Sequence, residues 1–203
     1  MILLGIDPGI HGGFAIVAVE ANGMAPRLVE AIDIPVVGTS AKERVDVIAI
    51  QEWILQHGPQ HAFIERAQAM PKQGASSGFK YGRAVGAIEA VITCCEIPLT
   101  IIEPTAWKKF HQLRGGDKES GRQRVLQLFP TAHELFARKK DHGRAEAALI
   151  ALYGARHFRE HLGSGHLEIT HQRPSLSVEQ SENATVNREF PRKRESPPAY
   201  PAK

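Results

Sequence analysis

A chain of 203 residues, 42% apolar and 23% charged, is long enough for one domain with a well-buried core and has the composition of a soluble globular protein. No apolar run is long enough to cross a bilayer, and a formal charge of +3 permits a polyanionic partner without requiring one. The two cysteines, Cys94 and Cys95, adjoin one another in an apolar run, which excludes a disulfide framework and a thiolate zinc site and reads as buried filler in a reducing compartment.

The N-terminus runs straight into a strand pattern with no basic leader or small-residue cleavage site, so a cytosolic protein is expected. Residues 2–7 (ILLGID) and 13–20 (GFAIVAVE) read as strands joined by a Pro8-Gly9 turn, and 27–34 adds a third, making an antiparallel meander. "SAKE" at 40–43 has the spacing of a capping box. Val45, Ile48, Ala49, Trp53 and Ile54 follow at helical spacing, which predicts a helix over 42–57 ended by Gly58. A short strand at 61–65 (HAFIE) precedes a polar loop and a helix over 77–94. In that helix Ala84, Ile88, Val91 and Ile92 share a face, and Gly82, Ala84, Gly86 and Ala87 permit close packing.

Residues 98–103 (PLTIIE) form a fifth strand closed by Pro104, and Thr105 is placed to cap a short helix over 106–110. Further helices are predicted within 117–130, where the helix stops before its proline, and over about 143–159. From about 163 to 203 the chain is rich in Ser, Pro, Glu, Arg and Asn, and a disordered tail is expected behind a folded domain of residues 1–162. Three antiparallel strands followed by helix-linked, parallel strands define an α/β fold with a mixed five-stranded sheet flanked by helices. A doubly wound nucleotide fold, in which strands and helices alternate from the start, is excluded.

Two apolar strands stop at an acid: the first at Asp7, the fourth at Glu65. Were these strands neighbours, both carboxylates would lie at one edge, and close carboxylates repel unless a proton or a cation joins them. Hard oxygen donors of this kind suit Mg²⁺ or Mn²⁺. Glu146 adds a third acid in the first turn of an apolar, alanine-rich helix. Each acid has a plainer role available: the helix dipole favours Glu146, and Arg66 is a neighbour with which Glu65 can pair. Their joint placement favours a metal site.

Lys108, Lys109, Arg114, Lys118, Arg122, Arg124, Arg138, Lys139, Lys140 and Arg144 crowd one stretch, as a phosphate-facing surface or as solvated helix faces. Phe79 and Tyr81 can stack on unpaired bases or be buried in the core. Gln73, Ser76 and Ser77 can reach base edges or phosphates, with Lys72 and Lys80 beside them. Trp107 reads as a core anchor for a surface helix.

"GIDPG" after the first strand, "IE" ending the fourth and the acid-bearing last helix resemble the RuvC-type Holliday-junction resolvases of the ribonuclease H-like superfamily. The likeness is greater to the chloroplast-type branch, through "KQGASSGFKYG" at 72–82, "PTAWKK" at 104–109, "DKESGR" at 117–122, "LFP" at 128–130 and "RKKDHGRAEAALIALYG" at 138–154, and it covers about residues 2–158.

The resemblance implies a homodimeric endonuclease that resolves four-way DNA junctions by paired symmetric cuts, with Mg²⁺ (Mn²⁺ substituting), two ions per site, and no small-molecule cofactor. It implies catalytic and metal-binding roles for Asp7, Glu65, Asp141 and Glu146, and a phosphate contact from Lys118. Glu146 departs from the aspartate usual in the family, by one methylene. Asp141 precedes Glu146 by five residues and must reach the site from the loop leading into the helix, whereas His142, four before, lies nearer its face. The fourth ligand is therefore Asp141 or His142. The helix at 77–94 is either the dimer interface or packing against the chain's own sheet. A ribonuclease H-like activity on RNA–DNA hybrid and a non-catalytic branched-DNA-binding relative are the competing readings. An actin-type ATPase would need a second glycine-rich phosphate loop and a longer chain.

Overall fold

The structure, a computed structural model, describes residues 1–20, 25–39, 42–68, 74–113 and 118–162. Strands β1 (Ile2–Asp7), β2 (Gly13–Ala18) and β3 (Arg27–Asp33) form the antiparallel meander, with Asp7 opposite Gly13 and Gly13 opposite Asp33. A two-residue pair follows, β4 (Val36–Val37) with β5 (Arg44–Val45), and then α1 (Val47–His57). Next come β6 (His61–Glu65), α2 (Ala75–Cys94), β7 (Leu99–Ile102), α3 (Pro104–Phe110) and α4 (Lys118–Leu128). Two 3₁₀ segments, Pro130–Phe136 and Lys139–Asp141, lead into α5 (His142–Leu162).

The sheet order is β3-β2-β1-β6-β7, with β6 parallel to β1 and β7 parallel to β6. This is the mixed five-stranded sheet expected. Because β1 and β2 lie inside it with both faces covered, they read as unbroken apolar runs, while β3 at the edge alternates. Leu3, Ala15, Val17 and Phe63 pack with Trp107, Val125, Phe136 and the alanine-rich face of α5; Leu4, Ile6, Phe14, Ile16 and Ile64 pack with Ile50 and Ile54 of α1 and Ala84, Ile88 and Ile92 of α2. Helices thus cover both faces of the sheet.

Several predicted boundaries move. The helix predicted over 42–57 begins at Val47, because Asp46 is the residue whose Oδ1 reaches the amides of Ile48 and Ala49, each at 3.2 Å, while Arg44 and Val45 are drawn into pairing with β4. Thr105 is not a cap: Pro104 takes the first helical position and Glu103 the capping position, without a side-chain cap bond. The helix within 117–130 stops before its proline as expected, at Leu128, and Pro130 opens a 3₁₀ segment. Cys94 is exposed and Cys95 half-buried, since the buried face of α2 runs through Ala84, Ile88 and Ile92 and leaves its last residues aside. The predicted tail lies outside the described residues. Among those, no helix is long and apolar enough to cross a membrane.

His111, just past α3, ties that helix to α5: its ring Nε2 lies 2.8 Å from the carbonyl of Leu149, and the residue is 3% exposed. Burial lowers its pKa from 6.5 to about 4, with Arg124 adding to the effect and the Leu149 carbonyl opposing it. Between those values the unfolded chain binds more protons than the folded one. Stability from this group is therefore complete above pH 6.5 and falls as the pH drops towards 4, by up to about 3 kcal/mol. Urea unfolding at pH 7.5 and pH 4.5 should show a smaller acid loss in His111→Gln than in the wild type.

Candidate active site

Parallel pairing of β1 with β6 sets Ile6 opposite Ile64, so the next residues, Asp7 and Glu65, finish the two strands at the same edge of the sheet. After Asp7 the chain turns sharply through Pro8 and Gly9. Gly9 has φ 121°, a left-handed value that a side chain rarely adopts, and its carbonyl accepts from the Gly12 amide at 3.0 Å. The chain then re-enters the sheet at Gly13. There α5 begins: a Cβ on Gly13 would lie 2.5 Å from the Arg144 nitrogen, so the first turn of that helix rests on the end of β2, beside Asp7. Arg144 fastens it with two bonds to Asp33 at the end of β3, at 2.6 and 2.7 Å. Glu146, half-buried, follows on the same turn.

Glu65 is held from α3. Its Oε2 accepts from the indole Nε1 of Trp107 at 2.6 Å and lies 3.9 Å from Nζ of Lys108. Burial raises the Glu65 pKa, the Glu146 charge raises it further, and Lys108 and Trp107 oppose them. From α2, Tyr81 senses the same edge: its hydroxyl is pushed up to about 12 by burial and then by the charges of Asp7 and Glu65. Glu146 thus acts on Glu65, while Asp7 and Glu65 act together on Tyr81. Arg66 pairs with Glu103 and not with Glu65.

A half-buried Glu65, its pKa raised by burial and by the Glu146 charge, is a carboxylate whose cost a divalent cation would remove, and the donors are the hard oxygens that Mg²⁺ or Mn²⁺ prefers. The residues present fit such an ion in chemistry. As placed, however, no three His, Cys, Asp or Glu side chains among the described residues are grouped as a finished metal cage. The acids lie within electrostatic reach and would have to close further to ligate together.

Asp141 is differently engaged. It is 0% exposed, and its carboxylate accepts from the Arg138 backbone amide at 2.8 Å and from the Arg138 guanidinium at 2.7 Å, closing the 3₁₀ turn before α5. Burial pushes this carboxyl up, but the Arg138 bonds and charge, with Arg144, outweigh it and leave the pKa below the usual aspartate value. His142 is half-buried with Nδ1 3.4 Å from the Lys139 carbonyl.

A cleft of about 510 Å³ opens beside Asp7, lined by Gly9, His11, Glu43, Ser77, Lys80 and Tyr81. A second, of about 360 Å³, shares Ile10, Glu43 and Lys80 with it and continues to Arg44 and Arg83. His11, Arg44 and Arg83 were missed from sequence. The signal for Arg83 is its place one helical turn after Lys80, away from the stretch where basic residues are densest. Phe79 is 68% exposed, with the Arg83 guanidinium 5.8 Å from its ring centre, so core burial does not hold for it, whereas Tyr81 is half-buried. Trp107 is fully buried, the core anchor expected, with a polar duty added.

Of the other basic residues, Arg122 is ion-paired to Glu119 and donates to the carbonyls of Phe136 and Ala137, an internal role, as is that of Arg144. Lys109, Lys139 and Lys140 are exposed. Lys118 opens α4, but its side chain lies outside the described residues, as do Lys72, Gln73 and Arg114.

The sequence profile of the family described as Crossover junction endodeoxyribonuclease RuvC matches residues 3–153. Among solved structures, Thermus thermophilus RuvC in complex with Holliday junction substrate is similar with a TM-score of 0.59 and 24% identity, over 79% of this chain and 96% of that one. A second Thermus thermophilus RuvC structure gives a TM-score of 0.56 at 26% identity over the same shares, 79% and 96%. The fowlpox virus Holliday junction resolvase gives 0.52 at 14% identity, over 78% of this chain and 99% of that one. No curated protein sequence matches the chain.

Proposed function

Because the chain belongs to the RuvC family of crossover junction endodeoxyribonucleases, we propose that it resolves four-way DNA junctions by paired symmetric hydrolysis, dependent on Mg²⁺, at the edge formed by Asp7, Glu65 and Glu146. Nucleases of this family are metal-dependent. The observation that carries the reading is the meeting of Asp7 and Glu65 at adjacent parallel strand ends, with the Glu146 charge felt at Glu65. Two ions at such an edge would supply an activated water for in-line attack and stabilisation of the leaving oxygen.

Asp7, Glu65 and Glu146 would hold them, and Asp141 or His142 would complete the set. Asp141 can do so only by exchanging its Arg138 bonds for the ion. Lys118 would contact the phosphate as negative charge gathers on it. Lys108, Lys109, Lys139 and Lys140 on one side and Ser77, Lys80, Phe79 and Tyr81 on the other would receive the junction arms, with Lys72, Gln73, Arg122 and Arg144 as further members of the set. Arg122 and Arg144 carry the weakest claim, because both guanidinium groups are spent on internal partners.

Two symmetric cuts require two sites, so the working form would be a homodimer. The outer face of α2 is the surface to test first: a Cβ on Gly78, Gly82 or Gly86 would meet nothing within 4 Å. The motifs at 72–82 and 138–154 support a place in the chloroplast-type branch, residues 1–162 would be the nuclease domain and 163–203 an appended tail, and the protein would act in the cytosol.

The test is cleavage of labelled four-way junction, linear duplex and RNA–DNA hybrid by the full chain, with Mg²⁺ or with EDTA. Paired symmetric nicks confined to the junction, and only with Mg²⁺, are expected. Cleavage of the hybrid alone would reassign the substrate, and tight binding that leaves every strand intact with Mg²⁺ would remove the enzyme reading.

A further inference from the structure

Trp107 is the residue whose chemistry exceeds its packing. It is 0% exposed in the core between α3 and the sheet, where a phenyl ring would fill most of the same space, yet its indole nitrogen ends on an acid at the sheet edge. The backbone makes this contact specific. In register, Glu65 lies opposite Ile102, the last residue of β7; Pro104 starts α3 two residues later; and Trp107 falls on the first turn, facing back over the end of β6. An indole N–H donates only and never accepts, so it favours the ionised carboxylate, both of whose oxygens accept, over the neutral acid.

Among the described residues both partners of Glu65, Trp107 and Lys108, fall on Oε2 and none falls on Oε1. The Lys108 ammonium also lies 4.9 Å from the Trp107 ring centre, so one α3 turn supplies the donor, the charge and the wall behind it.

We propose that Trp107 is a positioning residue for the reaction: its indole N–H pins Oε2 of Glu65 and so presents Oε1 to the divalent cation. The inference rests on the metal edge proposed above. A partner bond behind a ligating group fixes its orientation, and losing such a bond typically weakens metal binding about ten-fold or more.

The chain has two tryptophans, which gives the test an internal reference. The Trp53 indole donates to Glu30 at 3.1 Å, away from the acids, so an ¹H–¹⁵N spectrum of the full chain should hold two indole signals, one of which reports on the site. The Trp107 signal should move on adding Mg²⁺ and in Glu65→Gln, while the Trp53 signal stays in place. In Trp107→Phe, with the Trp53 signal and the melting curve as controls of folding, the dissociation constant for Mn²⁺, read by electron paramagnetic resonance of the free ion without DNA, should rise about ten-fold.

If the wild type binds Mn²⁺ and Trp107→Phe binds it equally well, or the Trp107 signal ignores Mg²⁺, the positioning role is overturned and the metal edge stands. If the wild type binds no Mn²⁺, the metal edge itself falls and takes this role with it. The wild-type titration decides the matter even where the Phe variant does not fold.

Discussion

Asn in place of Asp7 will leave the chain folded and able to bind a four-way junction, while lowering its cleavage by at least about a thousand-fold, equivalent to about 4 kcal/mol of transition-state stabilisation. The substitution keeps the shape and one accepting oxygen, and exchanges the charged oxygen for a neutral donor amide. Asp7 ends the strand at the middle of the sheet, and its charge, with that of Glu65, helps to raise the Tyr81 hydroxyl to about 12, so it belongs to the cluster and not to the surrounding solvent. Asn fills the same volume and keeps one accepting oxygen, so the fold should survive the substitution. The expected pattern is thus cooperative unfolding above the assay temperature, a retained gel shift on junction DNA, and single-turnover cleavage close to background. Cleavage within ten-fold of the wild type would remove Asp7 from the reaction.

The site was legible to the extent that it depends on strand ends. In "LLGID" and "HAFIE" an apolar run stops abruptly at an acid, and the helix between β5 and β6 makes a parallel return, which brings both acids to one edge without any knowledge of side-chain angles. Glu146 was legible as an acid on an alanine-rich face, which lets a helix approach a sheet edge closely. What depends on angles or distant pairing was not. The bond from Trp107 to Glu65 follows from how α3 leaves β7, and the anchoring of Arg144 spans 111 residues to Asp33, so a residue that reads as phosphate-facing is spent on holding α5 down.

Local signals misled where a stronger non-local one competed. Ser40 and Glu43 have the spacing of a capping box, but pairing of Val45 with Val36 and the reach of Asp46 to two amides move the helix start to Val47. Phe79 suggests core by its apolarity. Its place on α2, off the face that carries Ala84 and Ile88, leaves it in the open.

The first turn of α5, which carries Glu146, reaches the end of the sheet only because α5 lies directly on the strands, and Gly5 is the residue that permits this. A Cβ at Gly5 would lie 2.0 Å from the Ala147 carbonyl oxygen, 2.6 Å from the Ala151 nitrogen and 2.8 Å from the Ala151 Cβ. Two of these neighbours are backbone, so no rotamer change relieves the clash and the whole helix must lift. We expect Gly5→Ala to lower stability by at least about 3 kcal/mol, the upper part of the overpacking range and a large share of a typical domain's total. Gly86→Ala makes the same chemical change on α2, where within one chain the new methyl group would meet nothing within 4 Å, and in the monomer it should stabilise by about 0.5–1 kcal/mol through the better helix propensity of alanine. Urea unfolding of the two variants should therefore move in opposite directions. Because Glu146 adjoins Ala147, lifting α5 also withdraws the third acid, and Gly5→Ala protein at a temperature where it remains folded should cleave junctions more slowly than the wild type. A Gly5→Ala variant with wild-type stability and cleavage would mean that α5 does not rest on β1, and the convergence of the acids would lose its structural cause.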